Sequence, residues 1–556
     1  MNKKVCSFPI LFALLALLIG TCAVVFPASA QAAPTSTGSI TVSGTVASSY
    51  DAYQIFSANV VDGDSDAKIA TDLAWVSDAV RDAALPVLHS AGMPNSQTTA
   101  QEAAEWLNTD SHLTSALSAQ LARSLQSSGA RPAALNAGTT AELPCGYWLI
   151  VADDDAIAQN EAGTAPIMAL VGGSAVTVKP KAATPKVSKH VLEDGTAAWQ
   201  KAADATVADD LYWRLSATVP AGLTAYDSYA VQFVDTMSAG LDPSKVAASM
   251  RVYVAAGADG GFDAVPTGKD GRAGTEPAKG WTDITAQCAT KVAADGKTFT
   301  VRTGDLIAAL GGVDAFTAGA RVVAVYNAPL NSACNHGIAK GNPNEVYLRY
   351  PRSPFADQSG DAGFTRTPSD DACAYTWDLA LTKRGSDGDK PLAGAVLSIA
   401  DDRGRTLAAD GTWDAEGKAT VTTGEDGRVT VSGVDSGKLE VRELKAPKGY
   451  TAFEGTRSVT VKAEGLDVDQ VAAAKPKLTI TAESPLRADS ADGSTGSLEA
   501  SLINTPTGTP PSITTGGFMP STGDMAMYAA AAAAVAGAAL IVVALLVKRG
   551  GGSHKE

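Results

Sequence analysis

Leu379-Ala380-Leu381-Thr382-Lys383 is apolar at alternate positions and ends on a lysine. On a β-strand alternate side chains share a face, so Leu379, Leu381 and Lys383 point the same way. The leucines belong in a core, and Lys383 goes inward with them. Further along, Leu498, Ala500, Leu502 and Asn504 share a face by the same count, which puts an amide in a core. Between these stretches Leu439, Val441 and Glu443 align and add a carboxyl. Turns such as Asp387-Gly388, Asp410-Gly411 and Asp426-Gly427 separate short strands. Residues 374–505 therefore read as a β-sandwich.

Burying a lysine, an asparagine and a glutamate separately would be costly. Burying them together has a chemical use. Desolvation lowers the pKa of an amine and raises that of a carboxyl, so both can be neutral. A neutral amine is a nucleophile, and a protonated acid can polarise the amide carbonyl and shuttle protons. Attack on the amide carbon releases ammonia and leaves an isopeptide crosslink. Fixed proximity makes this slow reaction feasible, since effective molarities reach about 10⁵–10⁸ M in well-aligned cases. Periodicity alone equally allows a lysine snorkelling at a strand end and an asparagine in a turn.

The same logic extends toward the amino terminus. Residues 186–368 alternate strands with Gly-rich turns. Val187, Lys189 and Val191 share a face, as do Val231, Phe233 and Asp235, and Asn344, Val346, Leu348 and Tyr350. Residues 179–185 are rich in lysine and proline and read as an exposed linker. Residues 31–178 form an α+β domain, mostly β. Within it, Thr99-Ala100-Gln101-Glu102 is a capping box opening one helix, and a second helix spans Leu113 to Leu125. Lys68 is the one lysine between residues 34 and 178, placed in the first helical segment, which argues against a crosslink there.

Both ends carry processing signals. Residues 1–30 read as a secretory signal peptide, with Lys3 and Lys4, an apolar stretch, and the small exit Ala28-Ser29-Ala30. At the other end, residues 506–518 are a Pro/Thr/Gly stalk. Residues 519–556 then hold Met519-Pro520-Ser521-Thr522-Gly523, an apolar run over 525–547 of membrane-spanning length, and a basic tail. Net charge is −15, from 44 Lys+Arg against 59 Asp+Glu, which argues against nucleic acid as a partner. Four cysteines lie between the signals. In an oxidising compartment they permit two disulfides with three connectivities. Cys288 and Cys334 fall in one domain and are paired, which leaves Cys145 with Cys373. No zinc, nucleophile-elbow or phosphate-loop motif occurs, and Asp62, Asp64 and Asp66 begin a calcium loop that fails at Ala67 and Leu73. No metal, cofactor or catalysis on an external substrate is expected.

Several motifs resemble those of known families. Pro391-Leu392-Ala393-Gly394-Ala395, Glu443-Leu444-Lys445-Ala446-Pro447-Lys448-Gly449-Tyr450 and Asn504-Thr505 resemble the collagen-adhesin B-type domain. That resemblance implies a Lys383–Asn504 isopeptide bond assisted by Glu443. The segments 235–241 and 341–348 are similar to the middle domain of sortase-assembled Gram-positive backbone pilins, and imply a Lys189–Asn344 bond assisted by Asp235. Asn342 is the rival acceptor, with Pro343 favouring a turn. Tyr50-Asp51-Ala52-Tyr53-Gln54-Ile55-Phe56 also resembles the pilin family. Val176-Thr177-Val178-Lys179-Pro180-Lys181 resembles the pilin motif whose lysine joins subunits, which implies Lys181, with Lys179 and Lys186 as substitutes. Met519 to Gly523 resembles the LPxTG sorting signal, with Met for Leu and cleavage after Thr522.

These readings converge on a mainly β chain of tandem immunoglobulin-like sandwiches behind an α+β amino-terminal domain. The implied function is that of a shaft subunit of a covalent cell-wall pilus, extracellular and not an enzyme. Its partners would be sortase, further pilin subunits joined head to tail, and peptidoglycan. The rival reading is an accessory pilin or a monomeric wall-anchored adhesin that binds a host surface glycoprotein.

Overall fold

A computed structural model describes residues 36–64, 67–109, 111–180, 184–220, 223–257, 280–313 and 319–508. The leader, Lys181, the stalk from residue 509 on, the sorting signal Met519–Gly523 and the apolar run 525–547 lie outside the described residues. Among the described residues no helix is long and apolar enough to cross a membrane.

The first 140 or so described residues pack three helices, Asp78–Ser90, Ala100–Asn108 and Ser115–Ser127, against a five-stranded sheet. The long strand Ser49–Asp62 is central there, flanked by Lys68–Trp75 and the fully buried Gly146–Ala152. A separate three-stranded sheet joins Thr140–Pro144, Thr37–Val42 and Val176–Val178. One helix was not expected, and one expectation needs correction. The chain folds a helix at Asp78–Ser90 although Pro86 lies inside it. Ser77 caps that helix, and Val80, Ala83, Ala84 and Leu88 bury one face, so packing outweighs the lost backbone bond. Lys68 opens a strand and is not helical. Its ammonium is held by the Gly172 and Ser174 carbonyls.

The middle unit is two sheets face to face around one apolar core. One sheet runs in the order Ala198–Gln200, Val187–Glu193, Tyr212–Thr218, Arg321–Asn327, Arg251–Ala255, Trp281–Asp283. The other contains Gln232–Met237 beside Asn342–Pro351, with Asp370–Tyr375 on the far side of the latter. Asp370–Tyr375 also pairs in parallel with Ala202–Asp204. The middle sandwich therefore extends to residue 375, beyond the expected end at 368, because those backbone groups are satisfied in its sheet and not in the next.

The last unit, Trp377 to Pro506, is again two sheets. Its first strand, Trp377–Gly385, lies parallel to its last, Ser497–Pro506, with Lys383 opposite Leu502 and Gly385 opposite Asn504. The facing sheet carries Gly437–Lys445 between Val396–Ala400 and Thr456–Glu464. Buried Leu379, Leu381, Val441, Leu498, Ala500 and Leu502 form the core between them.

Candidate functional site: two buried lysine–acid–asparagine sets

The strand Val187–Glu193 alternates, so Lys189 and Val191 share the core face, and both are fully buried. Gln232–Met237 and Asn342–Pro351 are neighbours in the opposite sheet, which brings Asp235 and Asn344 to the same depth. Lys189 Nζ contacts Asp235 Oδ2. It also donates to the Tyr326 hydroxyl at 2.9 Å. That hydroxyl donates to Asp235 Oδ2 at 3.0 Å and accepts from Asn344 Nδ2 at 2.8 Å. The amine sits 5.5 Å from the Trp213 ring centre and 5.4 Å from that of Tyr326. Burial lowers the Lys189 pKa to about 8, against the raising effect of Asp235. Burial likewise raises Asp235 and holds the Tyr326 phenol well above its usual value. Both effects favour neutral groups. Asp235 Oδ1 and Asn344 Oδ1 are buried without a partner. Such orphaned acceptors are costly in a resting fold, and a proton on Asp235 would supply a donor.

The last unit builds a second set on a different frame. Lys383 and Asn504 come from the two parallel strands, while Glu443 comes from the facing sheet. Lys383 Nζ is 3.5 Å from Glu443 Oε1 and 3.3 Å from the Leu502 carbonyl. Asn504 Nδ2 donates to both Glu443 oxygens, at 2.9 and 3.0 Å. The Phe453 amide donates to Glu443 Oε2 at 3.0 Å. Burial lowers Lys383 to about 8 as well. Asn504 Oδ1 again has no partner. Each set therefore joins a desolvated amine and an amide through a buried carboxyl, which is what amide transfer needs.

The structure also separates residues that sequence reasoning had grouped. Asn342 is buried on a strand and not in a turn, where its amide donates to the Asn335 and Ala374 carbonyls. It is spent on holding a loop. The four cysteines are free thiols, which corrects the Cys288–Cys334 and Cys145–Cys373 pairings. Cys145 packs in the amino-terminal core and Cys373 in the core of the last unit, so each is enclosed by its own packing. Cys288 Sγ instead faces the Ile284 carbonyl at 3.3 Å, and Cys334 Sγ lies 3.6 Å from His336 Nε2. Lys179 and Lys186 are exposed. Tyr326 was missed. Its strand Arg321–Asn327 is a continuous apolar run from Val322 to Tyr326, buried throughout, which reads as core and not as polar machinery. Lys201 is another buried lysine, and its partners are the Asp370 carboxylate and the Asp371 carbonyl.

Comparison with known proteins places these sites in context. Residues 378–475 match the SpaA prealbumin-like fold domain. A 143-residue stretch is 30% identical to the trypsin-resistant surface T6 protein of Streptococcus pyogenes serotype M6, and covers 24% of each chain. The chain thus spans about a quarter of that relative's length. Among solved structures, the T6 backbone pilin of serotype M6 Streptococcus pyogenes is 16% identical with a TM-score of 0.46, covering 85% of this chain and 98% of that one. The full-length major pilin SpaD from Corynebacterium diphtheriae is 15% identical with a TM-score of 0.41, and covers 85% and 98%.

Proposed function

We propose that the chain is a structural subunit of a covalently polymerised cell-wall pilus, stabilised by Lys189–Asn344 and Lys383–Asn504 isopeptide bonds. The observation that carries this reading is the pair of buried lysine–acid–asparagine sets, one in each sandwich. The acids Asp235 and Glu443 serve as proton carriers for the chain's own crosslinking, and no external substrate is turned over. The trypsin resistance and surface location in the T6 relative's name agree with crosslinked extracellular domains. In this reading a sortase cleaves after Thr522, the resulting acyl group passes to Lys181 of the next subunit, and the base of the polymer is joined to peptidoglycan. Intact mass of the secreted chain tests the crosslinks: it should fall short of the sequence mass by two ammonias, and a full sequence mass refutes both bonds. An immunoblot of wall extract tests polymerisation. A ladder of heavy species that Lys181→Ala abolishes supports the shaft role, and a single band in the unaltered protein favours the adhesin.

A further inference from the structure

The two sets differ in how the acid reaches the leaving group. In the last unit Glu443 lies within 2.9–3.0 Å of Asn504 Nδ2 and 3.5 Å from the Lys383 amine, so one carboxyl touches both the nucleophile and the nitrogen that must depart. In the middle unit the acid is an aspartate, one methylene shorter. Asp235 contacts the Lys189 amine directly, but its hydrogen-bonded path to Asn344 Nδ2 runs through the Tyr326 hydroxyl, 3.0 Å from one and 2.8 Å from the other. An amide nitrogen leaves as ammonia only once it has gained a proton, and among the described residues the hydrogen-bond partner of that nitrogen is the Tyr326 phenol.

We propose that Tyr326 is a catalytic residue of the middle-unit crosslink, relaying a proton from Asp235 to the departing nitrogen of Asn344. This rests on the crosslink reading above. The neutral Lys189 amine attacks Cγ of Asn344, forming the new C–N bond. As the tetrahedral centre collapses, the Cγ–Nδ2 bond breaks and Nδ2 takes the Tyr326 hydroxyl proton, while Tyr326 recovers one from protonated Asp235. The surplus proton on the former lysine nitrogen then passes to Asp235 Oδ2 and restores the acid. The products are one amide and one ammonia, with Asp235 and Tyr326 returned to their starting states. The phenol is suited to the task because it is enclosed, neutral and held edge-on to Phe299, with ring centres 4.8 Å apart. The last unit needs no such relay, which makes it an internal control in the same molecule.

The experiment follows both bonds by peptide mass spectrometry in newly synthesised full-length chain over time. Tyr326→Phe keeps the ring and removes the proton. It should slow the middle bond about 100-fold, the size of a general acid–base contribution, and leave the Lys383–Asn504 bond at its normal rate. Equal middle-bond rates in Tyr326→Phe and the unaltered chain overturn the relay. If the unaltered chain itself never forms the middle bond, the crosslink reading fails instead, so the two failures are distinct. A second measurement avoids any folding defect of the variant. Unaltered chain made with 3-fluorotyrosine changes phenol acidity with almost no change of shape. Its middle-bond rate should shift relative to its last-unit rate, and an unchanged ratio overturns the proposal.

Discussion

Lys189 and Lys383 hold their amines away from water, and most of the chemistry follows from that. Alternation along short strands was enough to point both lysines, both asparagines and both acids inward, because a strand has only two faces. It could not show that Lys189 meets both its partners across the two sheets while Lys383 has its asparagine on an adjacent strand and its acid in the facing sheet, since that depends on how the sheets stack. Tyr326 was hidden for a related reason: a tyrosine in an apolar run reads as core whether or not its hydroxyl is used. Two predictions belong at this scale. Glu443→Ala should leave the chain one ammonia short of its own sequence mass, where the unaltered protein falls short by two, with the middle bond still formed. Losing a tie between residues 383 and 504 should also cost the last unit about 4–5 kcal/mol, by the loop-entropy argument used for long disulfide loops, read from chemical denaturation. The second concerns pH. Lys189 falls from 10.5 to about 8 in the folded chain. Between those values the unfolded chain binds more protons there than the folded one, so stability rises with pH across that window and is lowest below it. In Asn344→Ala the amine stays free, and its thermal midpoint should climb from pH 8 to 10 relative to the unaltered chain, whose amide nitrogen does not titrate. Buried tyrosines such as Tyr229 act the opposite way above pH 10, but equally in both chains. A flat difference between the two would show that Lys189 is not desolvated.

Elements with local signals were legible, and those held by tertiary packing were not. The box at Thr99 is formed as read: Thr99 Oγ1 accepts from the Glu102 amide at 3.2 Å, and Glu102 accepts back from the Thr99 amide at 3.0 Å. Thr99→Ala should lower the stability of the amino-terminal unit by about 1 kcal/mol, the usual worth of an N-cap, seen as an earlier first transition in calorimetry, with the two sandwiches unaffected. An unshifted transition would mean that helix packing alone holds this end. The helix over Asp78–Ser90 was not among the helices expected from the sequence; it carries Pro86, a local breaker, and its buried face holds it. The strand Asp370–Tyr375 was likewise invisible as part of the middle sandwich, since its partners lie at 342–351 and 202–204. The cysteine pairing went wrong because an even count in an oxidising compartment constrains arithmetic and not distance.

At the scale of the whole molecule, the units are tied by specific polar contacts. Arg123 donates to the Ala225 and Pro354 carbonyls between the first and middle units. Arg405 grips Asp209 with two nitrogens, and Trp377 Nε1 donates to Asp204 at 2.6 Å, between the middle and last. Gly337 and Gly496 pass so closely that a Cβ on Gly337 would lie 2.4 Å from the backbone opposite. Under tension from the linker near residue 181 to the tail near 522, these ties matter less than where each crosslink enters the load path. In the last unit the proposed bond would let force enter at Trp377, reach Lys383 within a few residues, cross to Asn504 and leave, so that almost the whole sandwich is bypassed. The middle unit is different. Its bond would join Lys189 to Asn344, but the chain then runs on through residues 345–375 before the next unit begins. Those 31 residues stay in series with the load. They are held without a covalent tie, by the pairing of Asn342–Pro351 with Gln232–Met237 and Asp370–Tyr375 and by the core packing of Val346, Leu348 and Tyr350. Single-molecule pulling on the crosslinked chain should therefore give no extension step from the last unit. The middle unit should give one step of about 100 Å at most, the length of some 30 extended residues. Asn344→Ala should replace that step with a much longer one, because the chain from 190 onward is then released as well. A middle unit that never extends, or that extends by its full length while its bond is intact by mass, would show that load does not follow this path.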